Sequence, residues 1–359
     1  MPAKKYKITP KGLENLFDLL SRNYNIVGPS VEKRLIKFKQ VKSLDDIAFG
    51  FKSIEGAGFY NLERDNWWFS YNRPANTLKD FLHPGERFLT EIIKEDNEEK
   101  TFQVPRSPWQ YCFFDIRSCD LQALFIMDKV FKKEPFYLDL RNRSLIIAVN
   151  CNHAMENCFC TITKTGPEIR KGFDLLLTEG EDYFLLEVGS KKGQILLDQV
   201  SDKRVPSRGE LEDKNRRLRM LKGEMADKFN MENIAEKLLS RLNLTYWKEI
   251  EERCLSCGNC TSVCPTCFCY DILEKSSLSF AKTQRTIVWD SCFSPDFATI
   301  NRFNIRGSLS SRYRHWILHK FVYSTLHFKR CSCVGCGRCI TFCPAGIDIR
   351  EEVLKVVSS

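Results

Sequence analysis

The sequence predicts an α+β protein. It divides into an N-terminal mixed α/β domain over residues 1–200, a helical connector over 201–250 and a C-terminal helical domain over 251–359. Three observations carry this division. Residues 111–150 run strand, helix, strand; residues 203–252 are highly charged, with apolar residues at helical spacing; and two matching cysteine runs begin at Cys254 and Cys333.

In residues 11–23, Leu13, Leu16, Phe17, Leu19 and Leu20 recur with the period of a helix, so the chain opens on a short one. Residues 24–110 mix short apolar runs with turn formers such as Gly28-Pro29, Arg73-Pro74 and His83-Pro84-Gly85, the pattern of irregular sheet. Trp67, Trp68 and Phe69 read as core or interface rather than as a stacking platform for bases. Residues 111–116 form a strand-like run, 120–131 have helix periodicity, and 145–150 are strand-like again. Such a β-α-β unit makes its strands parallel, with their carboxyl ends on one sheet edge. Strand-like runs at 173–177, 183–188 and 194–197 close the domain. In the connector, Leu218, Leu221, Met225, Phe229, Leu238, Leu239 and Leu242 fall at helical spacings. Its basic stretch, Lys214, Arg216, Arg217, Arg219 and Lys222, reads as a solvated helix face.

The two runs, Cys254, Cys257, Cys260, Cys264-Pro265 and Cys333, Cys336, Cys339, Cys343-Pro344, both read C-x2-C-x2-C-x3-C-P. In bacterial two-cluster ferredoxins, three thiolates of such a run hold one [4Fe-4S] cluster while the fourth ligates the other cluster. One predicted cluster therefore takes Cys254, Cys257, Cys260 and Cys343, and the other Cys333, Cys336, Cys339 and Cys264. Gly258, Gly335 and Gly337 permit the tight turns between neighbouring ligands. A zinc ribbon would leave the third cysteine of each run without a task. A disulfide framework conflicts with 17 cysteines, an odd number, in a chain of 359 residues. The thiols imply a reducing compartment.

Cys119 follows the first strand of the β-α-β unit and Cys151 the second, with Cys158 and Cys160 close behind. Four thiols thus meet at the sheet edge where open α/β sheets place ligands. On spacing alone they are either a third cluster site or buried small apolar side chains. Arg117 and Asp120 beside Cys119 are either hydrogen-bonding neighbours of such a site or ordinary ion-pair partners.

Net charge is +9, which thiolate-bound clusters would reduce. The N-terminal Lys4-Lys5-Tyr6-Lys7 has no apolar region behind it and no apolar run approaches membrane-spanning length, so the reading is a cytoplasmic protein without a secretory signal. Between Lys282 and Arg330, nine Lys or Arg stand against two acids, interleaved with Trp289, Phe293, Phe297, Phe303, Trp316, Phe321 and Phe328. This insert suits a docking face for an acidic redox partner or a shield around anionic clusters. The alternative is an iron-sulfur or zinc protein that binds nucleic acid through it. No Walker loop, G-x-G-x-x-G or nucleophile with a base is present, which leaves one-electron transfer as the predicted chemistry. A flavin-containing reductase is a second rival.

Several segments together resemble the electron-transfer subunits of anaerobic sulfite reductase (its A subunit) and of soluble NiFe sulfhydrogenase (its beta subunit). They are Arg117-Ser118-Cys119-Asp120-Leu121, Cys151 to Cys158-Phe159-Cys160, Gly172-Phe173-Asp174-Leu175, the first cysteine run with Cys264-Pro265-Thr266-Cys267-Phe268-Cys269-Tyr270, Trp289-Asp290-Ser291-Cys292, and the second run. The resemblance implies a subunit that takes electrons from a flavin-containing NAD(P)H diaphorase partner and passes them to a catalytic subunit with sirohaem or NiFe. It also implies a third [4Fe-4S] cluster on Cys119, Cys151, Cys158 and Cys160, three in all. The chain departs from the pattern at Ser294-Pro295-Asp296-Phe297-Ala298-Thr299, where the family often has a glycine-rich stretch. Cys112, Cys267, Cys269, Cys292 and Cys331 receive no role; spacing favours Cys333 over Cys331 as first ligand of its run.

Overall fold

The computed structural model describes residues 4–71, 73–95, 98–103, 107–225, 231–279 and 281–358. Phe229, expected on the connector helix, lies outside them. The strands longer than two residues, in chain order, are β1 (Lys5–Ile8), β2 (Asn25–Glu32), β3 (Leu35–Gln40), β4 (Phe51–Gly56), β5 (Phe59–Arg64), β6 (Glu86–Glu95), β7 (Glu98–Gln103), β8 (Tyr111–Ile116), β9 (Leu145–Val149), β10 (Leu175–Glu179), β11 (Phe184–Val188), β12 (Tyr270–Ser276) and β13 (Lys282–Trp289). With the helices this is an α+β protein.

A seven-stranded sheet in the order β1-β11-β10-β9-β8-β2-β3 forms the first body. Its centre, β10-β9-β8-β2, is parallel, and antiparallel strands close both sides. Every residue of β8, β9 and β10 is buried, as parallel strands covered on both faces require. Alternate side chains of β8 supply two cores. Cys112 and Phe114 meet Leu13, Leu16, Phe17 and Leu20 of the helix Pro10–Ser21. Phe113 faces Leu121, Leu124 and Met127 of the helix Ser118–Val130. Cys112 is thereby a core side chain, and burial pushes its thiol up.

The run 194–197 is helical rather than a strand, part of Lys191–Asp198. Its three consecutive apolar residues fit either period. The deciding signal is Ser190, whose hydroxyl accepts from the Gly193 amide as a helix cap. The connector begins with the helix Arg208–Glu224, opened by a Ser207/Glu210 capping box. Its basic side is not simply solvated. Lys214 pairs with Glu187, Lys222 with Glu168 at 2.5 Å, and Arg217 donates to the Glu179 carbonyl at 2.7 Å. Those partners lie far away in sequence, so composition could not reveal them.

The C-terminal part is helical around a core of Leu238, Trp247, Ile250, Phe293, Tyr313, Trp316, Phe321, Ile340 and Val353. It also contributes strands. β12 and β13 form a hairpin that extends β6 and β7 into an antiparallel sheet, β12-β13-β6-β7.

Candidate iron-sulfur centres

Both ferredoxin-type runs use the same local device. Gly258 and Gly337 take left-handed backbone, with φ of 70° and 72°, and each starts a four-residue helical turn carrying the third cysteine. Cys254, Cys257, Cys260 and Cys343 line one cavity together with Cys339, Phe293, Tyr313 and Trp316. Burial pushes the Cys260 thiol well up, and Cys292, then Cys254, Cys343 and Cys257, add to the shift, so the four thiols of the set lie within electrostatic reach of one another, with Cys292 beside them. In the same wall, the Tyr313 hydroxyl and Trp316 indole N–H are buried and have no hydrogen-bond partner among the described residues. Donors left unpaired beside four thiols suit an anionic occupant that accepts hydrogen bonds.

Cys264 joins the second run. Burial raises the Cys339 thiol, and Cys336, Cys333 and Cys264 raise it further. Cys264 itself is held well below the usual thiol range by the hydrogen bond from Cys267 and by the Lys320 ammonium, whose Nζ is 3.1 Å from its Sγ. Cys331 is occupied by backbone: its Sγ donates to the Lys320 carbonyl at 3.1 Å and accepts from the Cys333 amide at 3.3 Å.

The third set is assembled by topology. Parallel β8 and β9 end side by side, which brings Cys119, at the start of the following helix, near Cys151. Burial pushes Cys151 up to about 11, with Arg117 opposing the shift and Cys158 adding to it; Cys160 is raised by burial, then by Cys158 and Cys151. A Cβ at Gly166 would sit 2.9 Å from the Cys160 sulfur, so the loop wraps closely around the thiols. Three fully buried arginines surround the set. Arg73 pairs with Glu55 at 2.7 Å and reaches within 3.9 Å of the Cys158 sulfur. Arg117 pairs with Asp115 at 2.9 Å, and Arg338 with Asp120 at 2.8 Å. Arg117 and Asp120 are thus ion-paired and also adjacent to the thiols.

The second and third sets adjoin. The Phe159 amide donates to the Gly335 carbonyl at 2.8 Å, and the Thr165 hydroxyl to the Val334 carbonyl at 2.8 Å. A Cβ at Gly337 would lie 2.2 Å from the Asn157 carbonyl oxygen, so only glycine fits this contact. Cys336 acts electrostatically on Cys119 and on Cys160, while Cys339 is within reach of Cys260. The three sets therefore form a row, with the second in the middle. Among the described residues, no three His, Cys, Asp or Glu side chains converge closely enough to hold a single metal ion. The Cys254 set surrounds a space, as ligands to separate corners of a cluster do.

A family model described as a 4Fe-4S dicluster domain matches residues 253–347. Across its length, the chain is 28% identical over 353 residues to sulfhydrogenase 2 subunit beta of Pyrococcus furiosus, covering 95% of each protein. The chain resembles a sulfhydrogenase beta subunit. The dicluster match spans all eight cysteines of the two runs, and the whole-chain similarity extends over the part that holds the third set. Among the described residues, no helix is long and apolar enough to cross a membrane.

The basic aromatic insert is divided between environments. Phe293, Trp316, Phe321 and Lys320 are buried in the core, whereas Phe303 and Arg302 remain exposed. Sequence pattern alone does not mark Lys320, Arg73 or Lys79 as site residues. For Lys320 a signal existed: it falls on the buried stripe of Tyr313, Trp316, Ile317 and Ser324, and a lysine on an apolar stripe marks a buried charge that needs a partner.

Proposed function

We propose that the chain is the iron-sulfur electron-transfer subunit of a redox complex, relaying electrons between a flavin-containing NAD(P)H diaphorase subunit and a catalytic metal subunit. It holds [4Fe-4S] clusters on Cys254, Cys257, Cys260, Cys343, on Cys333, Cys336, Cys339, Cys264, and on Cys119, Cys151, Cys158, Cys160. The sulfhydrogenase beta subunit is the relative in favour of a hydrogenase-type partner. Such clusters supply one-electron transfer at potentials set by hydrogen bonds, burial and charge. The observation that carries the reading is the continuous row of thiol sets from the sheet edge to Cys254. The protein's own share is to fix the sets side by side, to exclude water with Phe293, Trp316 and Phe159, and to balance negative charge with Arg73, Arg117, Arg338 and Lys320.

The test is subtractive, on anaerobically purified full-length protein. Cys254→Ser and Cys151→Ser should each remove about four irons and about four sulfides per chain, and different EPR signals of the reduced protein. Retention of iron in Cys151→Ser would reject the third cluster; retention in both would reject the relay.

A further inference from the structure

Three of the cysteines without a role lie together. Cys267 and Cys269 line a cavity of about 350 Å³ with Lys79, Cys257, Asn259, Trp289 and Asp290. Cys292 is buried nearby, close enough to Cys269 for that thiol to add to the rise that burial gives it, and Cys269 acts on Cys267 as well. The Asp290 amide donates to the Cys269 carbonyl at 3.0 Å, which fixes the C-x-C turn against the start of the Asp290-Ser291-Cys292 segment.

Two buried lysines flank these thiols, each only 5% exposed. Lys320 Nζ is 3.2 Å from the Cys267 sulfur as well as 3.1 Å from Cys264. Lys79 Nζ donates to the Ser262 carbonyl at 3.0 Å and sits 3.9 Å from the Trp289 ring centre. Among the described residues, neither has a carboxylate at ion-pairing distance. A buried ammonium without a counter-ion is unfavourable, and Lys320 has one in the Cys264 set. Lys79 lines the cavity beside Cys267; burial lowers its pKa and the Cys267 and Cys264 sulfurs oppose that shift, so negative charge on this thiol side of the cavity stabilises its ammonium.

We propose that Cys267, Cys269 and Cys292 form a fourth iron-sulfur site, holding an anionic cluster of three or four irons beside the two ferredoxin-type sets. A lone zinc ion fits less well, since the thiols do not converge on one point and the cavity is far larger than an ion needs. The fourth corner of a four-iron cluster falls to Asp290, which lines the cavity, or to water. Binding displaces the thiol protons, so the two lysines then face thiolates and sulfide. The site rests on the iron-sulfur reading above but uses none of its twelve cysteines.

The experiment compares wild type with the double variant Cys269→Ser/Cys292→Ser after anaerobic reconstitution of the full chain with iron and sulfide. The expected result is a loss of about three to four irons per chain, additive with the loss in Cys151→Ser. Unchanged iron overturns the site. Failure of the parent reading looks different, because wild type would then contain no acid-labile sulfide. A second measurement needs no variant. In intact holoprotein Cys269 should resist alkylation until iron is chelated, and its alkylation beforehand would refute the site.

Discussion

The thiols of the two ferredoxin-type runs and those at the sheet edge are held by different means. Within each run, three ligands sit inside seven residues, and one left-handed glycine with a single helical turn sets their spacing. The sheet-edge set spans Cys119 to Cys160 and exists only because β8 and β9 are parallel and end together. The first arrangement takes three of its four ligands from local backbone and only the fourth from the other run. The second depends on the whole α/β body and on the loop 333–339 packed against it. Its stability should therefore follow that of the joint between the two regions.

The largest effect should come from that joint. Arg338, in the second run, pairs with Asp120 beside Cys119, with both side chains at most 1% exposed, and its Nε also donates to the Pro74 carbonyl at 2.8 Å. Arg338→Ala leaves Asp120 buried and unpaired, a cost of about 3–5 kcal/mol. The urea midpoint of anaerobic protein should fall accordingly, with iron lost from the sheet-edge set before the Cys254 set. Simultaneous loss from both would mean that the regions do not differ as described.

Glycine substitutions sharpen the same contrast. At Gly337, alanine carries a left-handed conformation costing about 1–3 kcal/mol and a clash with the Asn157 carbonyl oxygen across the joint. At Gly258 the conformation is the same, but the new Cβ would meet side chains rather than backbone, Ser291 at 3.2 Å and Thr261 at 3.8 Å. Gly337→Ala should therefore lower the thermal midpoint more than Gly258→Ala. Equal shifts would show that the joint contributes nothing.

These differences also set what the sequence could disclose. Cys254 to Cys264 and Cys333 to Cys343 are legible because their chemistry lies in local spacing. Cys119 and Cys151 become neighbours only once the strand-helix-strand pattern is recognised and its handedness and parallel pairing are applied. Arg73 looks like a turn residue beside Pro74, and nothing local marks its pairing with Glu55. The hairpin of β12 and β13 is equally opaque. Every residue of β12 is exposed, and its sheet is completed by β6, nearly two hundred residues earlier. The helix at Lys191–Asp198 reads as a strand because a three-residue apolar run has no period to measure.

A pH effect of intermediate size should arise where the sheet-edge body meets β13. His83 is buried between Phe131 and Trp289, and its Nε2 has no partner among the described residues. Burial, with Lys79 and Arg87 nearby, lowers its pKa from 6.5 to about 4. In the unfolded chain His83 takes a proton below about 6.5, while in the folded chain it stays neutral to about 4. Stability is therefore complete above pH 6.5 and falls as pH drops toward 4. His83→Phe should flatten this part of the unfolding profile, and an unchanged slope would assign the acid sensitivity elsewhere.

The smallest effect should come from an ion pair of the same chemistry in the opposite setting. Arg208 and Glu212 pair at 2.7 Å on the connector helix with side chains 93% and 61% exposed. Water already solvates both charges, so Arg208→Ala removes little Coulomb energy and leaves no buried charge behind. Its cost should stay below about 1 kcal/mol, and moderate salt should abolish it. Arg338→Ala deletes an equivalent guanidinium at a comparable distance, so the ratio of the two effects isolates burial as the cause. If Arg208→Ala destabilised the chain as much as Arg338→Ala, loss of positive charge in general, rather than an uncompensated charge at the joint, would explain both.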